Sequence, residues 1–351
     1  MSAGTGSPAA LFEMLLAYKT TAVLRTGIEL AVFDALADGP ATAAELAQRL
    51  ELAERGVRLL LNGLSALGLL EYDDRGRFGL TGTTAAHLVR GRPGFVGDMA
   101  KVLASRWEWE ALGALTAAVR AGGPVVADHA ETPRYQYWEQ FAAYAGAVAG
   151  PAAEFAAGCL EPWAGDRGRL EVLDVACGHG IYGYTLARRY PEARVCSLDW
   201  PNVLPVARKH AADLGVVDRV STIAGDMFEV PLGGPYDVVM LTNVLHHFSP
   251  ERGAELLRRV AGALAEDGRL VVVGFVSRGG PPHEDAAAHL FSVLMLVWTA
   301  AGEVHTEQTY QWMLRAAGLR RRLLRQVPSL PLSVMVAEKS PDPLPPAGGA
   351  P

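Results

Sequence analysis

From residue 170 onward, short apolar runs alternate with stretches of helical spacing. Runs of strand length lie at 170–175, 193–198, 220–224, 236–241, 270–275, 323–326 and 333–338. Apolar positions at i, i+3 and i+4 predict helices over 181–189, 203–214, 251–265, 285–299 and 306–317. Ser249-Pro250 opens the third of these helices and Gly268 follows its end, while Gly318 closes the last. Short apolar strands alternating with helices fold as a parallel sheet covered on both faces, so an α/β class follows for this half.

The first half reads differently. Helical spacing covers 11–17 and 22–36, and then 42–50 and 54–67. Thr42 with Glu45 is a capping-box pair. Leu69 to Tyr72 and Arg77 to Leu80 flank Asp73-Asp74-Arg75-Gly76, which predicts a β-hairpin. Helix, helix and hairpin make a winged helix. Residues 91–158 are helical in pattern and rich in aromatics, and Glu161 to Asp166 has the composition of a linker. The expected organisation is a winged-helix domain over 1–100, a helical region over 101–165 that contributes to a substrate pocket, and an α/β domain over 166–340. The small, polar residues 1–8 and the Pro/Gly/Ala-rich tail, 341–351, are expected to be disordered.

Composition narrows the function. A net charge of −6 argues against a nucleic-acid partner, and the helix 54–67 that would enter a DNA groove carries mostly leucines. This favours a structural or dimerising winged helix over a regulator that senses a ligand and binds DNA. Three scattered cysteines form no CxxC pair, which fits a reducing cytoplasm and excludes a disulfide framework. No basic, then apolar, leader opens the sequence, and the apolar segment 291–301 falls short of the ~18 residues that span a bilayer. The expectation is a cytoplasmic protein with no membrane partner.

The candidate chemistry centres on Gly178-His179-Gly180-Ile181-Tyr182-Gly183, between the first strand of the sheet and its helix. This is a GxGxxG sequence, and Asp199 follows about 20 residues on, as in dinucleotide folds. S-adenosylmethionine is the competing ligand, because its sites also place a carboxylate for the ribose after the second strand. Three further features favour it. Asp174 lies inside the first strand, and Asp226 ends the third, where it can accept from an adenine amino group. The fourth strand runs into Asn243-Val244-Leu245-His246-His247-Phe248, which puts a histidine at a strand's C-terminal end, where open α/β sheets bind ligands.

On these residues the chain resembles the class I S-adenosylmethionine-dependent methyltransferases. More narrowly, it resembles the family of plant caffeate and flavonoid O-methyltransferases and bacterial polyketide O-methyltransferases. The matching motifs are 172–180, Leu198-Asp199-Trp200-Pro201, Gly225-Asp226-Met227-Phe228, Val244 to Ser249, and 306–318. The resemblance implies a Rossmann-like domain with a mostly parallel seven-stranded sheet behind a winged-helix dimerisation domain, and hence a homodimer. It implies S-adenosylmethionine as cofactor, with Asp174, Gly178 and Gly180 around its methionine part, and Asp199 with Trp200 at the ribose. Asp226 and Met227 would bracket the adenine, Asn243 would complete the cofactor set, and His246 would be the general base. Some positions depart from the family pattern. Ala176 and Cys177 replace turn glycines, a change tolerated where φ is negative. Thr242 stands in place of a lysine, and Val304 in place of an acidic partner for the histidine.

An acceptor phenol with pKa about 10 needs a base near neutral pH, and an imidazole suits that task. Glu303 is the candidate for orienting the imidazole, with Glu284 and Asp285 behind it. Tyr137, Trp138, Phe141 and Tyr144 are candidates for a pocket wall, and Phe291, Met295 and Trp298 share one side of a later helix. Most of these aromatics read as core by default. His283, His289 and His305 lack short-range ligand spacing, so no metal is expected. The expected function is methyl transfer to the hydroxyl of an aromatic or polyketide-like small molecule. Methylation of carbon or nitrogen, or a reaction without net methyl transfer, is the alternative.

Overall fold

The structure is a computed structural model and describes residues 7–341. The ends expected to be disordered lie almost wholly outside the described residues, although Pro8 is already the first residue of a helix. The chain divides into two compact units, Met1–Arg106 and Trp107–Pro351.

In the first unit, helix α1 (Pro8–Glu29) runs unbroken through the polar stretch at 18–21, where the sequence suggested an interruption. That stretch holds no Gly or Pro, and its threonines disfavour a helix only slightly. The break comes at Ala31, in the left-handed region, ahead of α2 (Val32–Ala35). Helices α3 (Ala43–Leu50) and α4 (Glu54–Ala66) follow, then the antiparallel pair β1 (Leu70–Tyr72) and β2 (Phe78–Leu80). The capping box forms in full: Glu45 N–H donates to Thr42 Oγ1 at 3.3 Å and Thr42 N–H donates to Glu45 Oε2 at 2.7 Å. Phe33, Leu46, Leu61, Leu64 and Phe78 fill a separate core, so the winged helix is a packed unit of its own. Short helices α5 (Gly82–His87) and α6 (Ala100–Leu103) complete it.

The second unit opens with α7 (Arg106–Gly113), which starts on the last residue of the first unit, and α8 (Leu115–Ala121). Helix α9 (Gln136–Ala164) then runs through the stretch whose composition suggested a linker. The reason is its alanine stripe. Ala149, Ala152, Ala153, Ala156, Ala157, Leu160 and Ala164 recur at helical spacing and are buried against the sheet domain. This packing outweighs the two internal prolines, Pro151 and Pro162.

The sheet contains β3 (Glu171–Val175), β4 (Arg194–Asp199), β5 (Val220–Ala224), β6 (Tyr236–Thr242), β7 (Leu264–Gly274), β8 (Leu319–Gln326) and β9 (Ser333–Lys339). Their spatial order is β5-β4-β3-β6-β7-β9-β8, parallel except that β9 runs antiparallel to both β7 and β8. Helices α10 (Ile181–Arg189), α11 (Leu204–Asp213), α12 (Pro250–Ala263), α13 (Ala286–Trp298) and α14 (Glu307–Ala316) connect the strands. Strand alternation splits β3 between two cores: Val172 joins the α9/α10/α11 side, while Leu173 and Val175 join the α12/α14 side. Asp174 shares the face of Val172, toward α10. No described helix is long and apolar enough to cross a membrane.

Candidate active site

The order reverses between β3 and its neighbours β4 and β6, the switch point where open α/β sheets bind ligands. The residues singled out from the sequence gather at these C-terminal strand ends. Asp199, at the end of β4, accepts from Gly178 N–H through Oδ2 at 2.8 Å and from Trp200 N–H through Oδ1 at 2.7 Å. It thereby ties the glycine loop to the β4 end, and each oxygen keeps a lone pair for a further donor. Burial pushes its carboxyl up to about 6, although both backbone bonds pull the other way.

Asp174 is fully buried. Its Oδ2 accepts from Gly183 N–H at 3.2 Å, and its Oδ1 is buried with no partner among the described residues. Burial, with a smaller push from Asp199, raises this carboxyl to about 8. A buried carboxylate oxygen without a donor is costly, and a cationic or N–H-bearing ligand would supply one. Gly178, at φ 53°, opens on empty space, with nothing within 4 Å of where a side chain would start. Gly180 has a different requirement. At φ 73°, a Cβ there would meet the Tyr184 ring at 2.2 Å.

Ala176 does not meet the condition of negative φ: it sits at φ 54°, in the left-handed region. An L-residue costs about 1–2 kcal/mol there. Ala176→Gly is therefore expected to stabilise the chain by about 1 kcal/mol, read as a melting temperature raised by ~2 °C; an unchanged or lower value would refute the strain.

His179 has a definite task. Its Nδ1 accepts from Ile181 N–H at 3.1 Å, satisfying one of the free donors at the start of α10. Only a neutral imidazole can accept, and burial lowers His179 to about 3. His210 Nδ1 donates to the His179 carbonyl at 3.0 Å, so α11 holds the same loop from outside.

Asp226 Oδ1 accepts from Phe228 N–H at 2.8 Å, which curls the segment after β5 into a tight turn. Arg259 of α12 donates to the Met227 and Val230 carbonyls at 3.1 and 2.8 Å, and Arg252 stacks on the Phe228 ring at 3.5 Å. The sequence reading missed both arginines. Asn243 follows β6 in the left-handed region at φ 54°, which Asn tolerates, and its side chain lies beside the Tyr182 hydroxyl.

His246 and His247 lie on a single turn, Leu245–His247, with ring centroids 4.8 Å apart, and both are buried. His246 meets the Phe291 ring edge-on at 4.9 Å, and His247 meets Trp138 at 5.3 Å. Burial, then the neighbouring His247 and His305, hold His246 well below its usual value. His246 is therefore neutral at pH 7.

The aromatic candidates divide by exposure. Trp138, Phe141 and Phe291 are half-buried, whereas Tyr137 and Met295 are buried. Phe141 stacks near His179 at 6.2 Å and Trp138 reaches His247, so one face of α9 spans from the glycine loop to the histidine turn. Tyr137 packs on Trp298 at 4.6 Å and donates to Glu108 Oε1 at 3.3 Å.

Glu303 is not brought to His246. The backbone at Gly302 lies against the His246 carbonyl and residue 303 turns outward, exposed, its charge acting on His305 instead. Glu284 is exposed beside His283, and Asp285 accepts from Arg278 N–H at 3.1 Å. Among the described residues no three His, Cys, Asp or Glu side chains form a group that could hold a metal ion.

Comparison with known proteins places this geometry. Residues 167–320 match the O-methyltransferase domain, and residues 12–90 match the O-methyltransferase dimerisation domain. A curated relative, the 3-hydroxy-5-methyl-1-naphthoate 3-O-methyltransferase of Streptomyces sahachiroi, is 30% identical over 91% of this chain and 93% of its own. A Nostoc punctiforme crystal structure assigned to the O-methyltransferases superposes with a TM-score of 0.87 at 35% identity, covering 95% of this chain and all of that one. PigF, solved with S-adenosylhomocysteine (SAH), superposes at 0.81 with 25% identity, covering 95% and 100% of the two chains. The chain belongs to the S-adenosylmethionine-dependent O-methyltransferases that carry an N-terminal dimerisation domain.

Proposed function

We propose that the protein methylates a hydroxyl on a small aromatic acceptor, with His246 as general base. The observation that carries this is a neutral imidazole at the end of β6, beside half-buried aromatic rings and one strand from Asp174. When bound, S-adenosylmethionine supplies a methyl carbon already activated by its sulfonium, so the protein's work is placement and deprotonation. Asp174, Gly178 and Gly180 would receive the methionine part, Asp199 and Trp200 the ribose, and Asp226 and Met227 the adenine. Asn243, beside the Tyr182 hydroxyl, would complete that set.

Trp138, Phe141 and Phe291 form the acceptor wall, and Tyr137 and Met295 support it. Flat rings beside His246 and His247 favour a flat acceptor. The Streptomyces relative, named for a hydroxynaphthoate, makes hydroxylated naphthoates and benzoates the first acceptors to test. His246 enters the reaction neutral, with a free lone pair. The hydroxyl proton passes to its ring as the oxygen gains its methyl. Incubation with these acceptors and S-adenosylmethionine, followed by mass spectrometry, tests the reading: a product methylated on carbon or nitrogen would favour the alternative chemistry.

The carboxyls set a pH dependence. Asp174 and Asp199 are raised to about 8 and about 6. Their contribution to the unliganded fold is therefore complete below the ordinary carboxylate range and is lost as pH rises through those values. A cationic ligand reverses the preference by favouring the ionised forms. Binding of S-adenosylmethionine at pH 7 should release about one proton, chiefly from Asp174, and weaken as pH falls from ~8 to ~6. Calorimetry in buffers of different ionisation enthalpy measures this; enthalpies independent of buffer would contradict it.

The assembly we propose is a cytoplasmic homodimer organised by the expected domains, winged helix over 1–100, helical region over 101–165 and cofactor domain over 166–340. Helix α1 leaves Leu11, Phe12, Met14, Leu15, Leu16 and Tyr18 exposed, an apolar surface suited to a second copy. Phe12→Glu with Leu15→Glu should yield a monomer by light scattering; an unchanged dimer would place the interface elsewhere.

A further inference from the structure

The segment from Thr299 to Thr306 carries no residue that the reading above uses, yet it presses on the turn that holds His246. A Cβ added at Gly302 would lie 2.5 Å from the His246 carbonyl oxygen and 2.7 Å from the His247 carbonyl carbon. Both are backbone atoms, so only glycine lets the two chains lie this close. His305 grips the end of the same turn. Its Nε2 bonds the Phe248 carbonyl at 3.0 Å. A carbonyl only accepts, so Nε2 carries the proton, and Nδ1 is buried with no partner among the described residues.

The segment is anchored elsewhere in turn. Gly302 N–H donates to Thr299 Oγ1 at 2.9 Å, and Thr299 Oγ1 donates to the Met295 carbonyl at 2.8 Å. Val304 N–H donates to Ser292 Oγ on α13 at 3.0 Å. Ser277 N–H, just past β7, donates to the His305 carbonyl at 2.9 Å. Helix α13 also carries Phe291, whose ring meets the His246 imidazole.

We propose that this strap fixes the His246 imidazole and that Gly302 and His305 are its positioning residues, doing mechanically what an orienting carboxylate does by a hydrogen bond. No carboxylate bonds His246 among the described residues, and Glu303 within the strap points away from it. Gly302 sets how near the strap lies, and His305 holds the end of the turn through the Phe248 carbonyl. Ser292 links the strap to the helix that bears the acceptor wall. The proposal rests on His246 being the base, but its test does not.

The test is NMR of the full chain labelled on histidine rings, with the His246 Cε1–H signal identified by its absence in His246→Gln. In wild type that signal should be single and sharp. His305→Ala and Gly302→Ala should each shift or split it, and His305→Gln, which keeps an N–H for the Phe248 carbonyl, should restore it. With a turned-over hydroxynaphthoate, His305→Ala should lose ~10- to 100-fold in kcat with KM for S-adenosylmethionine unchanged, and His305→Gln should recover most of it. A His246 signal that superposes on wild type in both His305→Ala and Gly302→Ala would overturn the strap. A normally active His246→Ala enzyme would remove the base assignment alone, because the ring signal reads position, not turnover.

Discussion

Replacing His246 with Ala should lower turnover about 10²- to 10⁴-fold and leave the affinity for S-adenosylmethionine unchanged. The size follows from the job. A phenol with pKa about 10 is mostly protonated at neutral pH, and its oxygen becomes a strong nucleophile only as its proton leaves. Loss of the imidazole removes the acceptor for that proton. Cofactor affinity should hold, because Asp174, Asp199 and the glycine loop are built from β3 and β4 and bond one another, not His246. Turnover and calorimetry on the same preparation separate the two effects. Near-normal turnover would place the base elsewhere, and a joint loss of turnover and binding would mean that the turn supports the cofactor site.

Asp199→Ala should have the second large effect, this time on binding. Two charge-assisted bonds to ribose hydroxyls contribute about 1.5–3 kcal/mol each, so affinity for S-adenosylmethionine should weaken by about 10²- to 10⁴-fold. Part of that loss is indirect. Without the carboxylate, the Gly178 and Trp200 N–H groups lose their acceptor and the loop loses its tie to β4. Asp199→Asn keeps one acceptor oxygen but turns an amide N–H₂ toward one of those donors, so it should also bind poorly. Calorimetry with S-adenosylmethionine measures both variants; wild-type affinity in Asp199→Ala would remove the ribose assignment.

How far the sequence reached depends on whether a feature is local. The central strands of the sheet were legible because each is a short apolar run that can only be buried, whereas β8, with four arginines at the sheet edge, showed only its last four residues. The carboxylates were legible because each falls at or near the end of such a run, so topology alone brings Asp174, Asp199 and Asp226 to one edge. The capping box was legible from Thr42 and Glu45 alone. Features set by contact between distant segments were not. The end of α9 has a linker's composition, and only the sheet packed on its alanines keeps it helical. Ala176 carries no sign of its left-handed backbone, which the turn imposes. Glu303 is near the right place in the chain, but Gly302 lying on the His246 carbonyl turns it outward. Arg259 and His305 act through backbone carbonyls 29 to 57 residues away in sequence, so no short motif marks them. His179 was within reach: an imidazole two residues before a helix's first N–H is a capping signal.

The central claim is that His246 deprotonates a hydroxyl that then receives the methyl group of S-adenosylmethionine. Its most direct test is mass spectrometry of hydroxynaphthoate and hydroxybenzoate acceptors incubated with methyl-labelled S-adenosylmethionine, using wild type beside His246→Ala. The account predicts label on the acceptor oxygen with wild type, and its near-complete loss with His246→Ala that still binds the cofactor. Label on carbon or nitrogen, or equal labelling by the two proteins, would contradict it.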